Sequence, residues 1–366
     1  MVKFIKHTMG KPKILIIKTG GTIAQKPGAD GYLEPSPDDF LSKVEGLEDL
    51  ASIDVKDLGN IDSTNMESNL KFTNPTEAER TKDRSYVAKV IYENAFKYDG
   101  FVVVHGTDTM AESAAALTYM LADFRKPIVL TGSQRPIWAP RSDGQNNVYT
   151  AVQAATKDIG EVVIAFGNYV LRGSHVRKID EEGYDAFSTP GVQPLGKLTS
   201  LSEGIRLAEH RIRKSDSDPR IFTDFDTRVF HYSHVSGATV DEDLLYIAQS
   251  SNNHSIILGS FGAGNNPDRM LSFIKAARKN GKPVYVYTRC ETGAADMGIY
   301  SVGVAPLEAG AKPAGDMTLE ALGQKLMYAT GRAIERRLNG DGKLSFVDSV
   351  IKTPYNGDIT VTERRK

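Results

Sequence analysis

One stretch near the N-terminus decides the fold class, namely ILIIKTGGTIA at residues 14–24. Its first four residues are apolar and mostly β-branched, which predicts a buried strand. Gly20 and Gly21 then break the strand, because glycine lets the backbone turn sharply and approach a ligand closely. Thr22 follows, so its hydroxyl is expected at the carboxyl end of the strand, where open parallel sheets bind ligands. The stretch therefore offers, at the end of a predicted strand, the parts needed for a nucleophile and an oxyanion hole.

Two other interpretations of this stretch stay open on its own residues. A strand followed by two glycines can open a nucleotide site, but GGTIAQ at 20–25 lacks the G-x-G-x-x-G spacing, and no G-K-[ST] follows it. The stretch can also be a tight strand-to-loop turn with an ordinary threonine. Taken alone, it favours this structural interpretation.

The pattern of an apolar strand followed by a small polar loop recurs along the chain. FVVV at 101–104 runs into HGTDT at 105–109, and the third strand, at 128–130, runs into TGSQRP at 131–136. Strand and helix alternate from Lys13 to about Phe166, which is typical of a doubly wound, mostly parallel sheet. Because the carboxyl ends of parallel strands share one edge, these loops are expected to border one crevice.

The length of 366 residues predicts two domains. The charged, core-poor residues 208–226 are interpreted as a linker between a larger N-terminal catalytic α/β domain (1–207) and a smaller C-terminal α/β domain (227–366). Two local expectations concern the first domain. Residues 25–37, rich in Gly and Pro, predict a mobile surface loop, and residues 76–97 predict one helix.

Composition excludes several classes of protein. The net charge of −1 argues against nucleic acid as a partner, and no stretch reaches membrane-spanning length. Met1–Lys13 lacks the apolar run of a signal peptide. Cys290 is the only cysteine, so no intramolecular disulfide can form, which fits a reducing compartment. We therefore expect a cytoplasmic protein without nucleic-acid or membrane partners.

Five short motifs, in this order, together resemble the bacterial-type L-asparaginases. They are TGGTIA (19–24), HGTDTM (105–110), TGSQRP (131–136), GAGN (262–265) and DMTLEA (316–321). The last motif, with Lys325-Leu326 after it, is most similar to the cytoplasmic type I branch of that family. The resemblance extends from about Lys13 to Thr330, so it implies a fold and a chemistry for nearly the whole chain.

The resemblance also implies catalytic roles. Thr22 matches the family's nucleophilic threonine, and Tyr32 matches the tyrosine of the lid that closes over it. Thr107 and Asp108 match the second threonine and the carboxylate that binds the substrate ammonium group, and Lys178 matches the catalytic lysine. A threonine hydroxyl needs a base, and a Thr107–Lys178–Asp108 group could supply one where its surroundings favour a neutral amine.

Substrate binding is implied at residues 63 and 64 as well as at Asp108. Ser63 matches the serine that holds the substrate α-carboxylate, whereas Thr64 falls where some relatives carry glutamine. The implied substrate is L-asparagine, with L-glutamine as a second candidate. No metal or cofactor is implied, and the implied assembly is a homodimer or a homotetramer.

Several alternatives remain at this point. The reaction can pass through an acyl-enzyme on Thr22, with ammonia released and water then activated near Thr107, or water can attack directly while both threonines polarise the amide. The amidase subunit of a tRNA-dependent amidotransferase shares these motifs, but it carries an extra N-terminal domain, and here about a dozen residues precede the first strand. A non-catalytic amino-acid sensor would not need Thr22, Thr107, Asp108 and Lys178 together.

Overall fold

The structure is a computed structural model that describes residues 10–36, 39–69, 76–80, 82–200, 204–213, 218–238, 241–250, 252–298 and 301–360. Within these ranges the chain divides into two compact units. The first comprises the described residues up to Thr189 together with Pro194–Ile221, and the second comprises Pro190–Gln193 and the described residues from Phe222 onward. No helix within these ranges is both long and apolar enough to cross a membrane.

The first unit contains the longer set of strands. They are β1 (Lys13–Lys18), β2 (Gln25–Pro27), β3 (Leu33–Pro35), β4 (Ser52–Asp57), β5 (Gly100–Val104), β6 (Ile128–Thr131), β7 (Val162–Phe166), β8 (Tyr169–Arg172), β9 (Arg177–Lys178), β10 (Phe187–Ser188), β11 (Gly196–Leu198) and β12 (Ile205–Leu207). Its helices are α1 (Leu47–Leu50), α2 (Glu77–Arg80), α3 (Arg84–Glu93), α4 (Met110–Met120) and α5 (Gly144–Ala155).

The main sheet of this unit is mostly parallel, as predicted. Its strand order is β12-β11-β8-β7-β6-β5-β1-β4, and β4, β1, β5, β6 and β7 run parallel to one another. From β1 the chain goes first to the neighbour on one side, β4, and then to the neighbour on the other side, β5. The strand order thus reverses at β1, and the crevice outside the carboxyl ends of β1 and β5 is where such sheets bind ligands.

The central strands are buried on both faces. Every residue of β5 and β7 is buried, and so is the Ile14–Ile17 segment of β1. Ile14 and Ile16 face one side, where they pack in a cluster with Val148 and Val152 of α5. Because successive side chains of a strand point to opposite faces, Leu15 and Ile17 are buried on the other side. This two-sided burial explains why the strands are continuous apolar runs in the sequence.

The prediction of one continuous helix over 76–97 is wrong. Two helices, α2 and α3, occupy the span, and the chain between them makes a bridge at Asp83 to Glu67. The Asp83 carboxylate accepts a hydrogen bond from the backbone N–H of Ser85 at 2.8 Å, so it caps α3. Asp, Asn, Ser and Thr favour such caps, and Asp83 therefore starts a new helix inside the apolar pattern.

The residues predicted as a surface loop, 25–37, contain a hairpin instead. β2 and β3 pair antiparallel, with Gln25 opposite Pro35 and Pro27 opposite Leu33. At its base, the Lys26 ammonium lies 4.2 Å from the centre of the Trp138 ring, a cation–π contact. Residues 37 and 38 lie outside the described part of the chain.

The second unit is built on a smaller parallel sheet. Its strands are β13 (Val229–Ser233), β14 (Ser255–Ser260), β15 (Val284–Thr288) and β16 (Lys312–Pro313), in that spatial order. Its helices are α6 (Asp241–Gln249), α7 (Met270–Lys279), α8 (Ser301–Glu308), α9 (Leu319–Glu335) and α10 (Gly340–Lys352). Separate buried clusters form around Ile256, Leu258 and Val286 and around Ile257, Tyr285 and Tyr287. The second unit is therefore the smaller α/β domain that the sequence predicts, while the domain boundaries stay a prediction.

A buried ion pair ties the end of α10 and the chain beyond it to α9. The Lys325 ammonium lies 2.7 Å from Asp358 Oδ2, and neither side chain is exposed. The same ammonium donates to the carbonyls of Ile351 and Thr353, at 3.0 and 2.7 Å. Burial lowers the pKa of Lys325, and Asp358 opposes that shift.

We expect Lys325→Met to lower the free energy of unfolding by about 3–5 kcal/mol, because it leaves the Asp358 carboxylate buried without its partner. Urea denaturation followed by circular dichroism measures the change. Lys352→Met is the matched control, since its ammonium makes an equally short contact of 2.7 Å to Asp348 but is largely exposed. Equal effects of the two substitutions would contradict the prediction.

Candidate active site

Three loops at the carboxyl end of the main sheet are packed against one another through glycines. A Cβ atom on Gly21 would lie 2.7 Å from Gly106 Cα, and one on Gly106 would lie 2.7 Å from Ser63 Oγ. Gly21 also has a φ of 97°, a conformation that favours glycine. The loops after β1, β4 and β5 therefore meet at the point where the strand order reverses.

Thr22 lies at the start of the turn that follows the contact of these three loops. It begins a 3-10 turn, Thr22–Ala24, of which Ile23 and Ala24 are buried while Thr22 is half-buried. The Ala24 N–H donates to the Gly21 carbonyl at 3.2 Å, and the Ile137 N–H donates to the Ile23 carbonyl at 3.1 Å. Backbone hydrogen bonds on both sides of Thr22 thus hold the turn that carries its hydroxyl.

Lys178 joins two of the predicted residues. Its ammonium donates to Thr107 Oγ1 at 2.9 Å and to Asp108 Oδ1 at 2.8 Å, although these residues are about seventy positions earlier in the chain. Thr107 is buried, whereas the Asp108 side chain is 61% exposed. The lysine is therefore held between a buried hydroxyl and a carboxylate that solvent, or a ligand, can reach.

The Lys178 side chain is presented by a short hairpin of β9 and β10, in which Lys178 pairs with Phe187. The loop after β6 holds this hairpin, since Gln134 Nε2 donates to the carbonyl of Glu181 at 2.6 Å. The Tyr184 hydroxyl adds a second link by donating to the Arg141 carbonyl at 2.6 Å. Sequence reasoning missed both links, because neither residue type is specific for such a role.

The structure treats residues 63 and 64 differently. Ser63 is buried beside Gly106, and its carbonyl accepts a hydrogen bond from the Thr109 hydroxyl at 2.7 Å. Thr64 is exposed, and its hydroxyl donates to Asp62 Oδ1 at 2.8 Å. The Ser63 hydroxyl thus lies among the three loops, while the Thr64 hydroxyl is directed to its own helix cap.

Tyr32 lies on the turn of the β2–β3 hairpin, where 75% of its surface is exposed. Its carbonyl accepts from the Gly28 N–H at 2.7 Å, which closes the turn. The structure thus places Tyr32 in solvent, at the tip of the element that the sequence predicts as a lid.

His105 is a buried residue of the HGTDT motif to which sequence reasoning assigned no role. Burial lowers its pKa to about 4, so the imidazole is neutral in ordinary buffers. Its Nδ1 lies 2.7 Å from the Gly106 carbonyl, and its Nε2 lies 2.8 Å from Ser113 Oγ. His105 therefore has both ring nitrogens engaged and does not serve as an exposed general base.

The part of the chain that the structure describes contains no cluster of side chains suited to bind a metal ion. Within those ranges, no three His, Cys, Asp or Glu side chains come together as metal ligands. The reactive groups assembled here are instead hydroxyls, one ammonium and one carboxylate.

Comparisons with known proteins identify the family of the chain. The sequence profile described as "Asparaginase, N-terminal" matches residues 13–212, and the profile described as "Glutaminase/Asparaginase C-terminal domain" matches residues 234–337. Together the two profiles cover most of the chain. The fold and the two profiles thus define a two-domain α/β protein of the asparaginase type.

Relatives of known name share most of the length of this chain. An L-asparaginase of Thermococcus kodakarensis is 32% identical over 87% of this chain and 93% of its own length. A solved L-asparaginase structure from that organism has a TM-score of 0.82 at 31% identity and covers 96% of this chain and 100% of its own. L-asparaginase 1 of Escherichia coli K12 is 31% identical over 89% of this chain and 94% of its own length. The chain belongs to the asparaginase family.

A relative of another kind matches at similar identity. One subunit of the glutamyl-tRNA(Gln) amidotransferase of Sulfolobus acidocaldarius is 31% identical over 95% of this chain and 75% of its own length. Family membership alone therefore leaves two related activities to be distinguished.

Proposed function

We propose that the protein hydrolyses the side-chain amide of L-asparagine to give L-aspartate and ammonia, with Thr22 as the nucleophile. The observation that carries the proposal is the Lys178 ammonium, held at 2.9 Å from Thr107 and 2.8 Å from Asp108 beside the loop of Thr22. The L-asparaginases among the relatives support the choice of substrate.

The proposed reaction has two steps. Thr22 Oγ bonds to the amide carbon and gives up its proton through the Thr107–Lys178 pair, the carbon–nitrogen bond breaks, and the nitrogen takes up that proton and leaves as ammonia. Water then attacks the ester carbon, the bond from that carbon to Thr22 Oγ breaks, and a proton of the water passes through the Thr107–Lys178 pair to Thr22 Oγ, which restores its hydroxyl. Backbone N–H groups beside Thr22 and Thr107 are the proposed oxyanion donors, each typically worth about 3–4 kcal/mol. All these groups belong to the protein, so the chemistry requires neither metal nor cofactor.

The proposed substrate contacts use the remaining predicted residues. Ser63 binds the α-carboxylate, Asp108 binds the α-ammonium group, Thr64 borders the same site, and Tyr32 reaches the site when the hairpin closes. L-glutamine is the second candidate substrate, since a pocket usually discriminates one methylene by only about 1–3 kcal/mol. We also propose a cytoplasmic homodimer or homotetramer without nucleic-acid or membrane partners.

The amidase subunit of a tRNA-dependent amidotransferase is the second candidate function, favoured by the relative from Sulfolobus acidocaldarius. It differs from the first in needing a partner complex to act. A non-catalytic sensor is the third, and it would bind the amino acid without releasing ammonia.

Ammonia release from the purified protein tests the proposal. We expect release from L-asparagine without any partner, and slower release from L-glutamine. Binding of either amino acid without ammonia release would favour the sensor. Release only after addition of an amidotransferase partner and charged tRNA would favour the second candidate.

A further inference from the structure

A chain of buried side chains leads from α3 to the loop of Thr107. Arg84 Nε donates to Ser113 Oγ at 2.8 Å, and Ser113 Oγ lies 2.8 Å from His105 Nε2. His105 Nδ1 in turn lies 2.7 Å from the Gly106 carbonyl. Arg84, Ser113 and His105 are all buried, so the chain is shielded from water along its length.

The direction of every hydrogen bond in this chain follows from its two ends. The Gly106 carbonyl only accepts, so His105 Nδ1 must carry the proton of the neutral ring. Nε2 is then an acceptor, and the Ser113 hydroxyl donates to it. Ser113 Oγ in turn accepts from the Arg84 guanidinium, which only donates. Every hydrogen bond in this series is thus donated in the same direction, from the guanidinium of Arg84 toward the carbonyl of Gly106.

The carbonyl at the end of the chain belongs to the peptide group whose N–H is that of Thr107. A trans peptide group is planar, so holding its carbonyl toward His105 aims its N–H in the opposite direction. A hydrogen bond accepted at the carbonyl also polarises the peptide group and strengthens its N–H as a donor. Gly106 packs against Gly21 and Ser63, so this peptide group lies among the three loops of the site.

We propose that Arg84, Ser113 and His105 are positioning residues that orient and polarise the Gly106–Thr107 peptide, so that the Thr107 N–H stabilises the oxyanion formed during amide hydrolysis. The inference rests on the proposed function and deepens it. In this role the three side chains stabilise the transition state rather than the bound substrate, because the negative charge on the amide oxygen develops only in the transition state.

Two substitutions of His105 separate this role from simple packing. Asparagine carries its amide nitrogen near the position of ring Nδ1, so His105→Asn keeps a donor toward the Gly106 carbonyl. Glutamine carries its amide nitrogen near the position of Nε2, so His105→Gln keeps a polar group facing Ser113 and loses that donor. We expect kcat for L-asparagine to stay within about threefold in His105→Asn and to fall by at least about tenfold in His105→Gln, with KM unchanged in both.

A spectroscopic measurement on the wild-type protein tests the same inference without any variant. Long-range ¹H–¹⁵N correlations of the imidazole ring report which nitrogen carries the proton, and we expect Nδ1 for His105. Circular dichroism and gel filtration establish that each variant is folded, and the tautomer measurement decides alone if neither variant folds.

The outcomes distinguish this inference from the proposed function. A proton on Nε2, equal kcat values in the two variants, or a loss expressed in KM would overturn the positioning role while the wild-type enzyme still hydrolyses asparagine. A wild-type protein that releases no ammonia would instead overturn the proposed function. The catalytic role of Arg84, Ser113 and His105 would then fall with it.

Discussion

Replacing Thr22 by valine is expected to lower kcat for L-asparagine by about six orders of magnitude, the scale of loss seen when a hydrolase loses its nucleophile. Valine has nearly the shape of threonine, so the turn at 22–24, in which Thr22 is half-buried, should keep its backbone contacts. The expected loss therefore reports on the hydroxyl alone. Ammonia release at saturating substrate, with a folded and assembled variant, measures it.

Thr22→Ser is the matched control, because it retains a hydroxyl on the same loop. We expect it to keep kcat within about tenfold of the wild type. Intact-mass spectrometry of acid-quenched wild-type enzyme should show an aspartyl ester, which the valine variant cannot form. If Thr22→Val retained most of the activity, the nucleophile would have to be sought elsewhere in the crevice.

Replacing Lys178 by methionine is expected to have the second large effect. We expect kcat to fall by about 10²–10⁴-fold, as for removal of a general base. The reason is geometric, since its ammonium is 2.9 Å from the Thr107 hydroxyl and 2.8 Å from the Asp108 carboxylate. Without it, no cation links the buried hydroxyl to the exposed carboxylate.

Lys178→Arg distinguishes proton transfer from charge. Arginine keeps the positive charge beside Asp108 but stays protonated, so it cannot accept a proton. If lysine acts as the base, the arginine and methionine variants should lose similar amounts of kcat. Substantial activity in Lys178→Arg would show that the charge alone suffices and that another group accepts the proton.

The strands and the location of the crevice could be predicted because they follow from local chain properties. Strand β1 is an apolar run that ends at two glycines, and β5 is an apolar run that ends at HGTDT. Both apolar runs match the observed strands to within one residue at each end. The parallel arrangement then follows from the alternation with helices, and it brings the two polar loops to one edge.

What could not be predicted depends on contacts between residues far apart in the sequence. The break between α2 and α3 comes from a bridge of Asp83 to Glu67, which the apolar pattern of 76–97 does not contain. The link from Gln134 to the hairpin of Lys178 spans nearly fifty positions. Such contacts arise only once the sheet has set the loops side by side.

The role of His105 illustrates a further limit. The sequence identifies the HGTDT motif, but it cannot show that the imidazole is buried between Ser113 and Gly106. Its proton position depends on an arginine from α3, on the far side of β5 in sequence. The sequence alone therefore reveals which residue types are present, but not which atoms donate hydrogen bonds.

The contact of Lys325 with Asp358 also bears on how the protein can be shortened or tagged. A chain cut between Thr353 and Asp358 would leave an ammonium enclosed by α9 and α10 with two carbonyls and no counter-ion. Expression trials should therefore retain residues through at least Asp358 and attach affinity peptides or fluorescent fusions beyond Thr360. The same contact makes residues 353–358 a sensible place for a reporter of unfolding of the second unit, because the buried Lys325–Asp358 pair holds this segment against α9.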